Sequence, residues 1–343
     1  MTSSRIRSIL AYVDTADPRG HPALTSATRL ARAAGARLTL ADVVPEISPH
    51  VQRMLPDGLR LPQLLRDERS ACLERLARAP RRAGVSTATL TLEGATADAL
   101  IREISHGEHD LLTATLRNDG GGGATLGTRL ARRARCSVWL TPHRRPGGTG
   151  RRRPRVLAAI DVDGMDGRTE PVDAASVALA ARVLETAAEL CALQGGDLHV
   201  VHAWTAYGET MLRQRPMLGI SRPAVEEYVA RMEQSARGAL HAAVAPFAVS
   251  LRPDRVHLLK GHPDQVIPSF ASAHLIDTLV MGTVARSGLA GFIIGNTVER
   301  LLEAPPCALL VVKSDGAAAP RSVTTGDGAH TANRLPGISR EVA

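Results

Sequence analysis

The stretch Asp277–Lys313, DTLVMGTVARSGLAGFIIGNTVERLLEAPPCALLVVK, decides the fold class of this chain. It begins with a short apolar run that stops at Gly282, and it continues through a glycine-bearing loop to a helix that starts near Gly295. A Pro-Pro pair ends that helix because proline cannot continue it, and a second apolar run, Cys307–Val312, follows. A strand, a loop, a helix and a strand in this order predict one parallel crossover unit.

The loop between the two predicted strands offers backbone groups to an anion. Gly282 places no side chain at the end of the first strand, so a ligand can approach the main chain there. Gly295, Asn296 and Thr297 present N–H groups and a hydroxyl at a helix N-terminus, where the helix dipole favours a negative group such as phosphate. The same residues equally suit a strand end and a helix cap without any ligand. The glycines alone leave both interpretations open, because short glycine motifs arise often by chance.

The spacing of this segment resembles the signature of the universal stress protein family. Nucleotide-binding members of that family carry Gly-x2-Gly-x9-Gly-[Ser/Thr] between the fourth and fifth strands. Gly282 and Gly295 keep the spacing here, whereas Ala285 replaces the second glycine and Asn296 stands where Ser or Thr is usual. The resemblance implies ATP or another adenine nucleotide, with Mg²⁺ accompanying it, as the candidate ligand. Because two of the four defining positions are changed, the segment supports membership of the family more strongly than it supports nucleotide binding.

Length and composition are those of a globular protein with room for two domains. The chain has 343 residues, enough for two domains of ordinary size, and 44% hydrophobic with 22% charged residues is typical of globular proteins. Aromatic residues make up only 2%, so a stacking surface for single-stranded nucleic acid is not expected. The net charge of +8 comes almost entirely from arginine, with many of the arginines in one linker, and indicates no specific nucleic-acid partner.

Other classes of protein are disfavoured by simple counts. The four cysteines lie far apart and form no CxxC pair, so neither a zinc site nor a disulfide framework is expected. The apolar run before Asp14 is too short for a signal peptide, and no segment approaches the roughly 20 apolar residues of a membrane span. We therefore expect a soluble, cytoplasmic protein without a membrane partner.

The order of predicted strands and helices occurs twice in the chain, which indicates an internal duplication. SILAYVD near the start matches VLAAIDV, and RARCSVWLTP matches APPCALLVVK. Each half alternates strands and helices, which predicts an α/β fold: two tandem Rossmann-like domains, each a five-stranded parallel sheet with helices on both faces. The predicted parts are a first domain (1–142), an Arg/Pro/Gly linker (143–154), a second domain (155–313) and a disordered tail (314–343). The resemblance further implies that the two fifth strands, 136–141 and 307–312, pair with each other.

The candidate site lies beyond the carboxyl ends of the strands in the second half, where ligands bind in open parallel sheets. The resemblance implies that the first and fourth strands lie side by side there, so the residues that end these strands matter, namely Asp161, Met281 and Gly282. The resemblance implies that Asp161 and the backbone around Ala203 hold the adenine and ribose. It also implies that Gly282, Gly295, Asn296 and Thr297 hold the phosphates. Asp161 equally suits a cap of the turn that follows it.

The first half departs further from the signature. Thr115 stands at the position of Gly282, and the loop that follows is one residue shorter. Gly122-x4-Gly127-Thr128 resembles a phosphate loop, but Thr128-Arg129 stands in place of Lys-[Ser/Thr], which removes the main point charge of such a loop. This half is interpreted as a degenerate, empty copy in which Asp14 keeps its place.

The favoured function is therefore that of a stress-response regulatory protein that binds an adenine nucleotide in its second half. One alternative is a slow ATPase or nucleotidyl-transfer enzyme on the same fold, although the loop 283–294 contains no carboxylate and no catalytic motif is present. Another alternative is a protein that binds unknown protein partners and whose two nucleotide sites are both inactive. The sequence leaves open whether the chain forms a homodimer. His199 and His202 point to opposite faces of one strand, so they form no metal site together.

Overall fold

The computed structural model describes residues 5–17, 19–56, 59–116, 125–143, 152–162, 174–214, 219–248, 251–283 and 296–313. Within these residues the strands are β1 (Ser8–Tyr12), β2 (Arg37–Val44), β3 (Thr87–Glu93), β4 (Leu111–Leu116), β5 (Ser137–Pro142), β6 (Arg155–Ala159), β7 (Asp197–Trp204), β8 (Val256–Lys260), β9 (Thr278–Gly282) and β10 (Ala308–Val312). The helices are α1 (Pro22–Ala34), α2 (Pro49–Met54), α3 (Leu61–Arg82), α4 (Thr96–His106), α5 (Leu126–Arg133), α6 (Ala174–Gln194), α7 (Glu209–Gln214), α8 (Arg222–Val244), α9 (Pro263–Ala273) and α10 (Asn296–Glu303).

All the described strands belong to one continuous sheet with the order β3-β2-β1-β4-β5-β10-β9-β6-β7-β8. Neighbouring strands within each half are parallel, and the second half repeats the order of the first. The halves meet where β5 and β10 pair antiparallel, with Leu309 opposite Leu140 and Val311 opposite Val138. The expected pairing of the two fifth strands is therefore confirmed, as is the α/β fold.

Helices cover both faces of the sheet and enclose two apolar cores. One core contains side chains of α1, α3, α6 and α8, and the other contains side chains of α4, α5, α9 and α10. Helix α1 contacts α6 across the centre of the molecule, and α5 contacts α10 on the opposite face. Because the two halves run in opposite directions, the carboxyl ends of their strands lie at opposite edges of the sheet.

Local sequence signals set several of the helix ends. Helix α1 begins at Pro22 and ends at Gly35, whose φ of 65° is a left-handed conformation that glycine adopts without strain. The Thr125 hydroxyl accepts a hydrogen bond from the Thr128 N–H at 3.2 Å and caps α5.

The predicted elements agree with the structure apart from their ends and one helix face. Strand β6 ends at Ala159, so Asp161 follows the strand instead of lying within it. The apolar spacing Val177, Ala181, Leu184, Ala188 and Cys191 predicts the buried face of α6 only in part: Leu184 and Cys191 are buried, whereas Val177 is 57% exposed and Val183 and Ala187 are buried instead. The helix is apolar on nearly every side, so periodicity alone does not select the face that packs on the sheet.

Candidate functional site

Four of the residues predicted for the site, Asp161, Ala203, Met281 and Gly282, lie at the carboxyl edge of the second half. Strands β6 and β9 are neighbours, with Ala159 paired to Met281, which brings the ends of these strands side by side. Asp161 is exposed two residues beyond the end of β6, Met281 is buried, and Gly282 is the last residue of β9. Ala203 lies at the end of β7, which is the neighbour of β6.

The phosphate end of the predicted site is described only in part. Asn296 is the first residue of α10, and Thr297 follows it in a half-buried position. Gly295 and the preceding loop, including Ala285, lie outside the described residues. The structure thus places the start of α10 but not the loop that leads into it, and the phosphate-binding role of these residues stays a prediction.

Gly282 has a packing reason that the sequence did not reveal. A Cβ atom on this residue would lie 2.6 Å from Cγ of Leu179, a side chain of α6 that covers the end of β9. Next to it, the buried Thr283 donates its N–H to the Val312 carbonyl at 3.1 Å, which ties the start of the loop to β10. Close approach of Leu179 therefore requires glycine here with or without a ligand.

A buried histidine fixes the backbone just before Asp161. His202 is 1% exposed, and its Nδ1 donates to the Ile160 carbonyl at 3.0 Å. The Ile160 N–H in turn donates to the Val201 carbonyl at 3.0 Å. The sequence analysis considered His202 only as a metal ligand and missed this role. A histidine between apolar residues of a central strand was the available signal, since buried polar groups need partners.

The first half carries an ionic cluster at the corresponding edge of the sheet. Asp42, which is completely buried on β2, accepts hydrogen bonds from Arg69 Nη1 at 3.0 and 2.9 Å and from the Thr15 N–H at 3.0 Å. Arg69 Nη1 also lies 3.4 Å from the Asp14 carboxylate. Burial acts to lower the pKa of Arg69, but the hydrogen bond and charge of Asp42, followed by the charge of Asp14, outweigh it and raise that pKa. Neither Asp42 nor Arg69 was singled out from the sequence.

The strand registers show how the two halves differ at this position. Ile9 pairs with Leu38 and Val156 pairs with Leu198, so Asp42 and His202, each four residues further along its strand, occupy equivalent positions. By the same correspondence, Asp14 is equivalent to Asp161.

The long helices α3 and α8 also differ between the two halves. Helix α3 of the first half supplies Arg69 to Asp42, whereas the buried residues of α8 in the second half are Val225, Ala236 and Leu240. Met232 packs against the cluster of Trp204, Ala206 and Ala236. The first half therefore presents an ionic cluster where the second half presents apolar side chains and a histidine.

Comparisons with known proteins identify the family of this chain. Residues 5–142 and 171–313 each match the family model named Universal stress protein family. The chain belongs to the universal stress protein family. Because the two matches cover both halves, it is a tandem member, as the duplication in the sequence predicted.

Similar members of the family span nearly the whole chain. Universal stress protein E of Photorhabdus laumondii is 21% identical over 317 residues, which cover 90% of this chain and 96% of that protein. The crystal structure of a putative universal stress protein from Pseudomonas aeruginosa UCBPP-PA14 has 24% identity and a TM-score of 0.66, and the match covers 91% of this chain and 95% of that one. This likeness shows the fold.

A nucleotide occurs in the crystal structure of one neighbour that matches a smaller part of the chain. A universal stress protein crystallised in complex with cAMP aligns with 40% of this chain and 97% of its own, with 19% identity and a TM-score of 0.33. That similarity is too low to transfer its ligand to the present chain.

In the described ranges, no group of three or more His, Cys, Asp or Glu side chains is arranged to hold a metal ion. No helix in those ranges is both long enough and apolar enough to cross a membrane.

Proposed function

We propose that this tandem universal stress protein is a cytoplasmic stress-response regulator that binds ATP or another adenine nucleotide, with Mg²⁺, in its second half and acts through protein partners. One observation carries the proposal: the β6–β9 register brings the end of the strand before Asp161 beside Gly282, which opens the glycine-spaced segment. The two domains are proposed to span residues 1–142 and 155–313, with a linker at 143–154 and a tail at 314–343.

The residues at this edge fit the parts of an adenine nucleotide. The exposed Asp161 carboxylate can accept hydrogen bonds from ribose hydroxyls, and the backbone beside Ala203 can contact the base. Met281 and Gly282 would border the nucleotide, while Gly295, Asn296 and Thr297 would bind phosphate at the N-terminus of α10. Bound Mg²⁺ would neutralise part of the phosphate charge.

The first half is proposed to remain empty. Asp14, the counterpart of Asp161, lies against Arg69 at 3.4 Å, and Asp42 beneath it is saturated by donors from the protein. Thr115 also replaces the strand-end glycine of the second half. A nucleotide in the first half would have to displace Arg69 from its carboxylates.

Titration calorimetry on the full chain tests both parts of the proposal, with Asp161→Asn and Asp14→Asn as a matched pair. We expect one ATP per chain, roughly tenfold weaker binding in the Asp161→Asn variant because a charged hydrogen bond is lost, and unchanged affinity in the Asp14→Asn variant. Gly295→Leu is expected to abolish binding by blocking the phosphates. Two ATP per chain, or weakened binding in the Asp14→Asn variant alone, would contradict the asymmetry. The absence of binding heat at millimolar ATP would favour a partner-binding protein with both sites inactive.

A further inference from the structure

Helix α5 of the first half packs against the phosphate end of the proposed site in the second half. Lys313, which is 3% exposed directly after β10, donates its Nζ to the carbonyls of Ala131 and Arg132 in the last turn of α5. The residue before it, Val312, accepts the N–H of Thr283, the first residue beyond β9. The end of α5 is thus joined to the strand on which the loop of the second half begins.

An ion pair joins α5 of the first half to α10 of the second half. Arg132 near the C-terminus of α5 pairs with Glu299 in the first turn of α10. The two side chains are 43% and 32% exposed, so both reach the surface at this edge. Other ion pairs nearby, Arg133 with Asp98 and Arg300 with Asp264, each stay within one half.

The charge of Glu299 bears on anion binding at this helix end. A carboxylate in the first turn of a helix interacts favourably with the helix dipole, but it repels a phosphate that binds at the same end. Arg132 places a positive charge beside Glu299 and offsets part of that repulsion. The cation comes from the half that is proposed to bind no nucleotide.

We propose that Arg132 is a positioning residue through which the first half sets the nucleotide affinity of the second. By pairing with Glu299 it leaves the N-terminus of α10 electrostatically open to phosphate. This inference rests on the proposed nucleotide site and specifies its regulation: any event that draws Arg132 away from Glu299 weakens the binding of phosphate-bearing ligands. The tandem arrangement then contributes to the affinity of the second half for such ligands.

Calorimetric titration of the intact chain with ATP and with adenosine, which lacks phosphate, separates charge from structure. We expect Arg132→Gln to weaken ATP binding roughly three- to tenfold, since an unpaired carboxylate then faces the phosphates, and to leave adenosine binding unchanged. Glu299→Gln added to Arg132→Gln should restore the affinity for ATP. Arg133→Gln, which removes the adjacent ion pair within the first half, is the matched control and should have no effect.

The outcomes distinguish this inference from the function on which it rests. Equal weakening of ATP and adenosine binding by Arg132→Gln would assign Arg132 a structural role and overturn the inference. Unchanged ATP binding in that variant, with the wild-type chain binding ATP, would also overturn it while leaving the proposed function intact. A wild-type chain that binds neither ligand would overturn both. Thermal unfolding of each variant establishes that the chains compared are folded.

Discussion

Replacing Arg69 by methionine, an uncharged residue with a flexible side chain, is expected to destabilise the first half strongly. Arg69 is 17% exposed and Asp42 is 0% exposed, so the substitution leaves a buried carboxylate without its cation. Removing one partner of a buried ion pair costs about 3–5 kcal/mol. Asp42 retains hydrogen bonds from the N–H groups of Thr15 and Val43 at 3.0 and 2.7 Å, so we expect the lower end, about 3 kcal/mol.

Urea denaturation followed by circular dichroism measures this loss at pH 7. Arg222→Met is the control, because Arg222 and Glu226 form an i,i+4 pair that is 85% and 55% exposed, and such pairs contribute about 0.5 kcal/mol or less. Adding Asp42→Asn to Arg69→Met removes the buried charge and should recover most of the stability. The reasoning is refuted if Arg69→Met costs no more than Arg222→Met, or if Asp42→Asn brings no recovery.

Three further predictions concern the second half. Gly282→Ala should cost about 1–3 kcal/mol through overpacking, since the new Cβ would lie 2.6 Å from Leu179 Cγ, and Leu179→Ala should relieve part of that cost in denaturation of the double variant. Burial and then the charge of His257, whose Nε2 lies 3.2 Å from His199 Nδ1, lower the pKa of His199 to about 4. As the pH falls from about 6.5 to 4, the unfolded chain is protonated first, so the melting temperature should drop, and by less in a His199→Gln variant. Burial lowers the pKa of Lys313 to about 8. Between this value and its ordinary pKa near 10.5 the unfolded chain binds more protons, so the free energy of unfolding should rise with pH, and Lys313→Met should abolish that rise.

Much of the fold was predictable because strand and helix order repeats in the sequence. Duplication predicted the two similar halves, and the family resemblance predicted that β5 and β10 pair. The family resemblance also predicted that the first and fourth strands of each half are neighbours, which pointed to Asp161 and Gly282, and the pairing of β6 with β9 confirms that strand order.

The contacts that the sequence did not predict all depend on tertiary register. Asp42 and Arg69 lie 27 residues apart, and His199 and His257 lie 58 apart on neighbouring strands. No local pattern links such residues, because their contact depends on how a helix or a second strand packs across the sheet. The buried face of α6 was predicted only in part for a related reason, since the orientation of a helix that is apolar on nearly all sides depends on the elements packed around it.

The asymmetry of the two halves has an energetic origin that does not depend on the glycine loop. In the first half, a ribose that reached Asp14 would displace Arg69, which lies 3.4 Å from that carboxylate and also neutralises Asp42. Freeing Arg69 would cost about 3 kcal/mol, whereas a hydrogen bond to a charged group returns about 1.5–3 kcal/mol. The exchange gains nothing, so restoring glycine at Thr115 would not by itself create a second nucleotide site. In the second half His202 occupies the position of Asp42, so the buried carboxylate that anchors Arg69 is replaced by a histidine there.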